Sequence, residues 1–586
     1  MSTHEDVKQW YLDTVNSTTD SRADSERDRD YYDNKQFTAD ELAEYKKRKQ
    51  PPVVINRIKP KVDSTLGLEI RSRVDIKAFP RNPKDENSAE AATDALRFIA
   101  DNSDFDQVKS DVSFNIFVEG TGAAICEVEQ TSKGKFEVMP RYIPWDRFFI
   151  DQHSSRKDGK DAKFMGQAIW MDEEDAFDMF PDVDKSLITA GTEDGTIGDT
   201  YDDKPKDNFY DKGRKRVKLI EIYYFSKGWK HAIFTGLGFV VDERDSPYLD
   251  EDGDPMNPIE MQSANVDRDN NRYSPVRQLI SPQDEVNMRR SKALHLLSTR
   301  QVIADKGAVE NVSKAKNELA KPDGWIEKNP NKAVDLQNTS DLAAGQFNLL
   351  QEAKNEIDAV GANASVTGKE ERALSGRALQ VRQEAGTVEL APVMDGLRNW
   401  ELRMYRQMWM RVKQFWTEER WVRVTDDEKN IKFTGLNRPV TLGEVLESRG
   451  ELFDVNDPRV NEVVGIENST AELDVDIILE AVPDTVNIQA EQFELLANMY
   501  SAKPDVVPFE MIIESSSLRN KDRILERMNG TTPEEQAAVA ERNDLEKRGA
   551  VAEITATEAK AAKDAADAKE TQVDTLIKVN QPIQQP

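Results

Sequence analysis

The longest helical pattern in the sequence runs from Leu374 to Trp416 and carries apolar side chains on two of its faces. The first face comprises Val393, Leu397, Trp400, Met404, Met408, Val412 and Phe415, and the second comprises Leu402, Tyr405, Trp409 and Trp416. A helix that is apolar on two faces must be buried between neighbours, either in its own chain or in other copies of it. Pro392 is predicted to kink or interrupt this helix.

Composition indicates a chain with much exposed polar surface and no membrane span. Of the 586 residues, 38% are apolar and 32% are charged, which is polar for a globular protein of this length. No apolar run reaches about 18 residues, so no transmembrane helix is expected, and the polar start of the sequence is unlike a signal peptide. Cys126 is the single cysteine, which excludes an intrachain disulfide and favours a reducing compartment.

The net charge of −29 argues against a protein that grips DNA with its whole surface. Contact with DNA remains compatible with this charge, because a channel wall that lets a polyanion slide should lack a continuous phosphate-binding surface. The alternative interpretation is solubility, since acidic chains repel one another. Charge alone favours that alternative.

Residue periodicity predicts a polar segment over residues 1–50, with a capping box at Thr38–Glu41, and then a mixed α/β region up to about Pro258. Gly120-Thr-Gly122 is predicted to form a tight turn between a helix and a strand. The predicted helices of this region are Ser88–Asp101 and Phe105–Val118. The predicted strands are Val53–Ile58, Val74–Phe79, Ala123–Glu129, Lys135–Met139, Leu219–Phe225, Trp229–Phe234 and Gly238–Val241.

Helical patterns predominate further along the chain. Ser281–Arg300 is predicted as a helix with Ser281 as its cap and Pro282 at its first position, and Asp341–Val360 as a second helix. After Pro483 the chain is mostly helical, and its Ala-, Glu- and Lys-rich part is either a lightly packed helix or a tail. Strand-like pieces are predicted at 322–326, 421–426, 431–433 and 473–479.

No residue set for catalysis or metal binding emerges from the sequence. The four histidines are scattered, without a second ligand at metal spacing. Residues 361–370 resemble a phosphate-binding loop, but Asn363 replaces its first glycine and Glu370 stands where Ser or Thr should bind magnesium. Asp250–Asp254 resembles a calcium loop, but Pro255 occupies the glycine position, which leaves only adventitious divalent binding open. The sequence therefore predicts no enzyme, no cofactor and no resident metal.

Several motifs between residues 50 and 480 occur in an order typical of one protein family. They are Val53-Val-Ile-Asn-Arg-Ile-Lys-Pro-Lys-Val62, Phe117-Val-Glu-Gly-Thr-Gly-Ala-Ala124, Ile143-Pro-Trp-Asp146 with Phe149-Ile-Asp151, Tyr273–Lys292, and Leu374-Ser-Gly-Arg-Ala-Leu379 with Arg382 and Gln383. In this order they resemble the portal proteins of short-tailed bacteriophages, which form the ring at a capsid vertex through which DNA passes.

The resemblance implies an α+β, predominantly helical fold of portal type, with a mixed α/β wing, a two-helix stem, a small α/β clip, a long kinked helix and a helical crown. It divides the chain into an N-terminal arm (1–50), wing (51–280), stem helix (281–302), clip (303–340), second stem helix (341–363), tunnel loop (364–376), long helix returning to the wing (377–483), and crown with C-terminal tail (484–586).

The resemblance also assigns candidate functional residues and partners. The tunnel-loop residues Lys369, Glu370, Glu371 and Arg372 would lie beside DNA, the stem would present Arg289, Arg290, Lys292 and Arg300, and the clip would present Trp325, Ile326 and Lys328. The implied assembly is a twelve-subunit ring in the virion, built in the host cytoplasm. Its implied partners are the major capsid protein, scaffold, terminase, tail adaptors and double-stranded DNA bound without sequence specificity, with no membrane.

Two other classes of function remain open at this point. A scaffold or head-tail adaptor would also be helical and acidic, but it would lack a DNA channel. An enzyme acting on nucleic acid would show divalent-dependent turnover.

Overall fold

The computed structural model describes residues 3–73, 75–81, 86–189, 209–211, 213–298, 301–319, 321, 324–337, 340–359, 390–425, 431–448, 458–471, 473, 475–480, 496, 499–500 and 509–514. The chain divides into two compact units, Met1–Val482 and Pro483–Pro586. In the second unit the structure describes residues 496, 499–500 and one short helix, and the other residues of the predicted crown and tail lie outside the described ranges. The first unit mixes helices and sheets, which confirms the predicted α+β class.

The helices differ widely in length, and the longest lie in the second half of the first unit. They are α1 (His4–Ser17), α2 (Thr19–Tyr32), α3 (Ala39–Lys47), α4 (Ile58–Arg71), α5 (Glu86–Asn102), α6 (Phe105–Val118), α7 (Glu173–Met179), α8 (Lys185–Ile188), α9 (Arg277–Ser298), α10 (Val312–Leu319), α11 (Ser340–Ala359), α12 (Ala391–Phe415), α13 (Leu442–Ser448) and α14 (Phe509–Glu514).

The strands pair antiparallel throughout the described residues, in one six-stranded sheet, one three-stranded sheet and several two-stranded pairs. They are β1 (Asp75–Pro80), β2 (Thr121–Gln130), β3 (Phe136–Ile143), β4 (Phe148–Ile150), β5 (Phe164–Asp172), β6 (Tyr210–Asp211), β7 (Arg216–Phe225), β8 (Trp229–Phe234), β9 (Phe239–Asp245), β10 (Ile259–Ser263), β11 (Asn265–Val266), β12 (Arg272–Tyr273), β13 (Gln301–Ala304), β14 (Val334–Gln337), β15 (Arg420–Thr425), β16 (Ile431–Leu436), β17 (Arg438–Thr441), β18 (Val463–Glu467) and β19 (Val475–Glu480).

The sheet order agrees with the local sequence patterns. β2 and β3 form the predicted hairpin, with β10 added on the other side of β2, and β7, β8 and β9 form the predicted meander within the six-stranded sheet. β1 pairs with β19, so that Ile76 lies opposite Leu479 and the end of the first unit returns to its beginning. Gly120 has φ +92, and a Cβ there would lie 2.4 Å from the carbonyl carbon of Tyr273. The predicted tight turn is therefore confirmed, and it requires glycine.

The polar N-terminal segment contributes to the core, which its composition does not indicate. In α1, Val7 and Tyr11 are fully buried, and the Tyr11 ring meets Phe149 edge-on at 5.0 Å between centroids. These two buried side chains dock α1 on the six-stranded sheet, which supplies most of the other residues of this hydrophobic cluster. The capping box predicted at Thr38 is confirmed at the start of α3.

The long helix α12 is buried on two faces by its own chain. Trp400, Met404 and Met408 on one face and Tyr405 and Trp409 on the other are all buried, as the sequence predicts. The described helix begins at Ala391, so Pro392 lies in its first turn, where a missing N–H costs no helical hydrogen bond. The part of the predicted helix from 374 to 389 lies outside the described residues.

Two boundaries predicted near Pro282 and Pro322 were wrong. The helix predicted to start at Ser281 is α9, which begins at Arg277 and contains Pro282. The first strand after it, β13, begins at Gln301, well before Pro322. Burial explains the early start, because Leu279 and Ile280 are buried and extend the helix upstream of the proline. In the region predicted as the clip, the strands are β13 and β14, which pair antiparallel on either side of α10. Residues 324–326 of the predicted strand-like piece 322–326 are not in a strand.

Candidate functional site

A row of polar side chains on α9 hydrogen-bonds the backbone of residues 53–57; we call it the polar ladder. Ser291, Asn287 and Gln283, spaced four residues apart, are fully buried. Their oxygens accept from the backbone N–H groups of Val53 (2.9 Å), Ile55 (3.0 Å) and Arg57 (3.0 Å), respectively. The Nε2 of Gln283 also donates to the carbonyl oxygen of Ile55 at 2.7 Å.

The hydrogen bonds of the ladder are possible because the spacing of its side chains along the helix matches the spacing of alternate N–H groups along the extended segment. Four residues of an α-helix rise about 6 Å, and two residues of an extended chain rise about 6.6 Å. Alternate N–H groups of residues 53–57 therefore meet side chains one helical turn apart. The predicted strand Val53–Ile58 was wrong in this respect: the segment from Val53 is not a β-strand, its backbone partners are side chains, and Ile58 already begins α4.

The ladder continues into the neighbouring helices. Asn287 Nδ2 donates to Gln36 Oε1 at 2.6 Å, and Gln36 Nε2 donates to the carbonyl oxygen of Tyr31 at 3.0 Å. On the other side, one guanidinium nitrogen of Arg57 lies 2.9 Å from both carboxylate oxygens of Asp358 on α11. Residues 53–57 thus fasten α2, α9 and α11 to one another.

Buried carboxylates hold α2 against two neighbouring elements, Asp28 against the start of α9 and Glu119 against the end of α6. Asp28 is fully buried and accepts hydrogen bonds from Ser274 Oγ (2.7 Å) and from the guanidinium of Arg277 (3.3 Å). Burial raises the pKa of Asp28 to about 6, although both partners lower it. Burial likewise raises the pKa of Glu119 to about 7, against the effect of Arg29, which pairs with it at 2.9 Å.

The basic residues predicted on the stem have different surroundings. Arg289 pairs with Glu285 at 2.8 Å and donates to Gln346 Oε1 on α11 at 3.2 Å. The Arg290 guanidinium lies over the Phe347 ring, 5.7 Å from its centroid. Lys292 is exposed, and Arg300 lies outside the described residues. Arg289 and Arg290 therefore join the two helices α9 and α11.

The predicted clip residues are exposed or half-buried. Trp325 is 78% exposed, Ile326 is half-buried and Lys328 is exposed. Ile303 and Val312, in the same part of the chain, are each 60% exposed. The region predicted as the clip therefore exposes large apolar side chains at several positions.

Other predicted features carry no site chemistry in the described residues. Lys369, Glu370, Glu371 and Arg372 lie outside them. Asp250 Oδ1 accepts from the backbone N–H groups of Asp252 and Asp254, so the calcium-like segment is an Asx turn. Within the same ranges, no group of three or more His, Cys, Asp or Glu side chains is arranged to hold a metal ion. No described helix combines the length and apolarity that crossing a membrane requires.

Sequence reasoning missed the charged groups that α12 buries. Lys109 on α6 lies 3.0 Å from Glu401, and Arg403 lies 2.8 Å from Glu260 on β10. Arg411 is fully buried and lies over the Tyr248 ring at 4.3 Å. The available signal was that Glu401, Arg403 and Arg411 each stand between two apolar residues in the sequence.

Comparison with known proteins places the chain in a viral context. The sequence matches the family described as "Phage P22-like portal protein" over residues 8–228 and 225–571. It is also similar to a protein named "Portal protein" from Helicobacter pylori bacteriophage KHP30, with 25% identity over 152 residues. That match covers 26% of this chain and 25% of the relative, so the chain matches a quarter of that protein's length.

Proposed function

Because the chain belongs to the phage P22-like portal protein family, we propose that it forms the ring at the capsid vertex through which double-stranded DNA is packaged and ejected. The observation that carries this proposal is the family match, which extends over most of the chain. Portal proteins form oligomeric rings in phage capsids. We propose twelve subunits for this ring, with terminase docking first and tail adaptors later.

The described elements are assigned to the ring as follows. α9 and α11 are the stem helices, residues 301–337 are the clip, and the sheets with α4–α6 and α12 are the wing. The polar ladder supports this assignment, because it ties both stem helices to the segment that enters the wing. The tunnel loop is assigned to residues 364–376 and the crown to residues after 484.

The clip carries the docking function in this proposal. Trp325 and Ile326 offer apolar contact area, and Lys328 offers a charge at its edge. Exposed tryptophan is enriched among residues that dominate binding energy at protein interfaces. The same surface would serve terminase during packaging and an adaptor afterwards.

The acidic composition is consistent with a conduit. With a net charge of −29 per subunit, a ring repels the phosphate backbone and offers it few deep binding minima. DNA can then slide without sequence-specific contacts. The force for packaging comes from a separate ATPase in this proposal.

A packaging reaction tests the function directly. Empty capsids assembled with or without this chain are supplied with terminase, ATP and DNA, and nuclease-protected DNA is measured. The proposal predicts protection only in capsids that contain the chain. Equal protection without it, or none with it, would favour a scaffold or adaptor instead.

A further inference from the structure

A basic cleft of about 500 Å³ lies between the loop 156–160 and the N-terminal half of α12. Five cationic side chains line it, namely Arg156, Lys157, Lys160, Arg403 and Arg406. Such a concentration of positive charge is unexpected on a chain with a net charge of −29. None of the functions proposed above uses this cleft.

The loop wall of the cleft is held rigidly. The carboxylate of Asp161 accepts hydrogen bonds from Ser154 Oγ and from the N–H of Ser155, both at 2.7 Å. Gly159 has φ +66, and a Cβ there would lie 2.8 Å from the sulfur of Met261. The loop therefore packs directly on β10, and its lysines project from a fixed backbone.

The helix wall is attached to the same strand. Arg403 donates to Glu260 Oε2 and to the carbonyl oxygen of Met261, both at 2.8 Å. Ser263 N–H, two residues further along β10, donates to the carbonyl oxygen of Lys157 at 2.8 Å. Because β10 holds both walls, the cleft exists before any ligand arrives, and binding requires little ordering.

Three of the five cations are left for a partner. Arg156 forms an ion pair with Asp158, and the hydrogen bond from Arg156 helps to lower the pKa of Asp158 to about 2. Arg403 forms an ion pair with Glu260. Lys157, Lys160 and Arg406 are exposed and make no ion pair with any described carboxylate. Asp395, which also lines the cleft, accepts a hydrogen bond from Asn399.

We propose that this cleft receives acidic side chains of a second copy of the chain and forms one half of the contact between adjacent subunits of the ring. The proposal rests on the ring assembly of the preceding subsection. A closed ring uses head-to-tail contacts, in which two different surfaces of each subunit meet. Copies that each carry −29 repel one another, so a contact between them needs opposite charges at close range.

A protein segment fits the cleft better than a DNA duplex does. A volume of about 500 Å³ accommodates a group of side chains, which is the size range of a small-ligand pocket. A duplex is too wide to enter, and only single phosphates at its edge could reach the cations. The acidic remainder of the chain would also repel the flanking DNA.

A charge-reversal variant tests the cleft. Lys157→Glu/Lys160→Glu/Arg406→Glu is compared with Lys133→Glu/Lys135→Glu/Lys227→Glu, which adds the same negative charge at exposed positions in two hairpin turns. Mass photometry at increasing salt measures the fraction of chains in rings. At low salt, the fraction of chains in rings should be at least about tenfold lower for the cleft variant than for the unaltered chain. The reason is that like charges facing one another across an interface are strongly unfavourable. The control should assemble like the unaltered chain.

Zero-length cross-linking tests the contact without any substitution. A carbodiimide joins lysine amines to carboxylates only where the two touch, and a mixture of unlabelled and ¹⁵N-labelled chains distinguishes links between copies. Lys157 or Lys160 should appear in mixed-label links to Asp or Glu, and the linked peptide identifies the acidic surface.

The proposal requires both results, and failure of either overturns it. Rings of unaltered stability in the cleft variant would overturn the cleft contact while leaving the portal function intact. If the cleft variant instead keeps its rings but loses DNA affinity, with the salt dependence reduced by about 0.9 per cation, the cleft binds phosphate. A chain that remains monomeric without any substitution would overturn both the cleft contact and the proposed function.

Discussion

The backbone N–H of Ile55 donates a 3.0 Å hydrogen bond to the side-chain oxygen of Asn287, which lies fully buried in α9. A helix side chain here takes the place that a neighbouring strand would have in a sheet. The extended segment 53–57 is thereby bound to a helix and pairs with none of the described strands. This contact links the segment that precedes α4 to α9.

Replacing Asn287 with alanine should destabilise the first unit by about 1–3 kcal/mol, because the N–H of Ile55 and the amide oxygen of Gln36 lose their partner. Denaturant unfolding measures the free-energy change. Lys292→Ala on the exposed face of the same helix is the control and should change stability by no more than about 0.5 kcal/mol. Equal effects of the two changes would show that the ladder contributes nothing specific.

Asp28 should make stability fall as pH rises between about 4 and 6. Its pKa is raised from 3.8 to about 6 in the folded chain, so the folded state binds more protons than the unfolded state in this window. Asp28→Asn should flatten the slope by up to about 1.4 kcal/mol per pH unit. Unfolding measured from pH 4 to 7 checks this, with Asp20→Asn, at an exposed carboxylate of the same helix, as control. An unchanged slope in Asp28→Asn contradicts the assignment.

Removing one member of the buried pair of Lys109 and Glu401 should lower the free energy of unfolding more than removing both members. Lys109→Met leaves the buried Glu401 carboxylate without its ion-pair partner and should cost about 3–5 kcal/mol. The double change Lys109→Met/Glu401→Leu should recover most of that loss, since both charges are gone. Arg141→Met, which breaks an exposed pair with Glu129, should cost at most about 1 kcal/mol. If the loss of unfolding free energy in the double variant equalled the sum of the losses in the two single variants, the two residues would not be coupled.

Trp325→Ala should leave folding and ring assembly unchanged while weakening terminase binding by at least about tenfold. The side chain is 78% exposed, so its loss removes little internal packing. Binding of purified terminase to the ring measures the effect. Trp421→Ala, at a tryptophan that is 53% exposed on β15, is the matched control. Equal binding by both variants would place the docking surface elsewhere.

Deleting residues 369–372 should preserve the ring but impair DNA packaging or retention, if these residues form the tunnel loop. Nuclease-protected DNA per capsid measures the effect, and particle images verify assembly. Loss of the ring itself would mean that the segment is structural and that its assignment beside DNA is wrong.

The sequence predicted those elements that are stabilised by residues close together in the chain. The capping box at Thr38, the β2–β3 hairpin and helix α6 all follow from residues close together in the chain. The two buried faces of α12 were likewise visible, because periodicity reports burial whichever element covers the helix.

Features that depend on distant partners could not be predicted in this way. Val53–Arg57 looks like a strand, since nothing in its own residues shows that Gln283 and Asn287 will satisfy its backbone. Pro282 looks like a helix start, because the burial of Leu279 and Ile280 that extends α9 upstream is a tertiary effect. The basic cleft likewise requires loop 156–160 and α12 to meet across β10.

Cryo-electron microscopy of the purified chain tests the proposed assembly. A portal subunit should form a closed ring, with twelve subunits and a central opening wide enough for a DNA duplex. Monomers, open filaments or a closed particle without such an opening would contradict it.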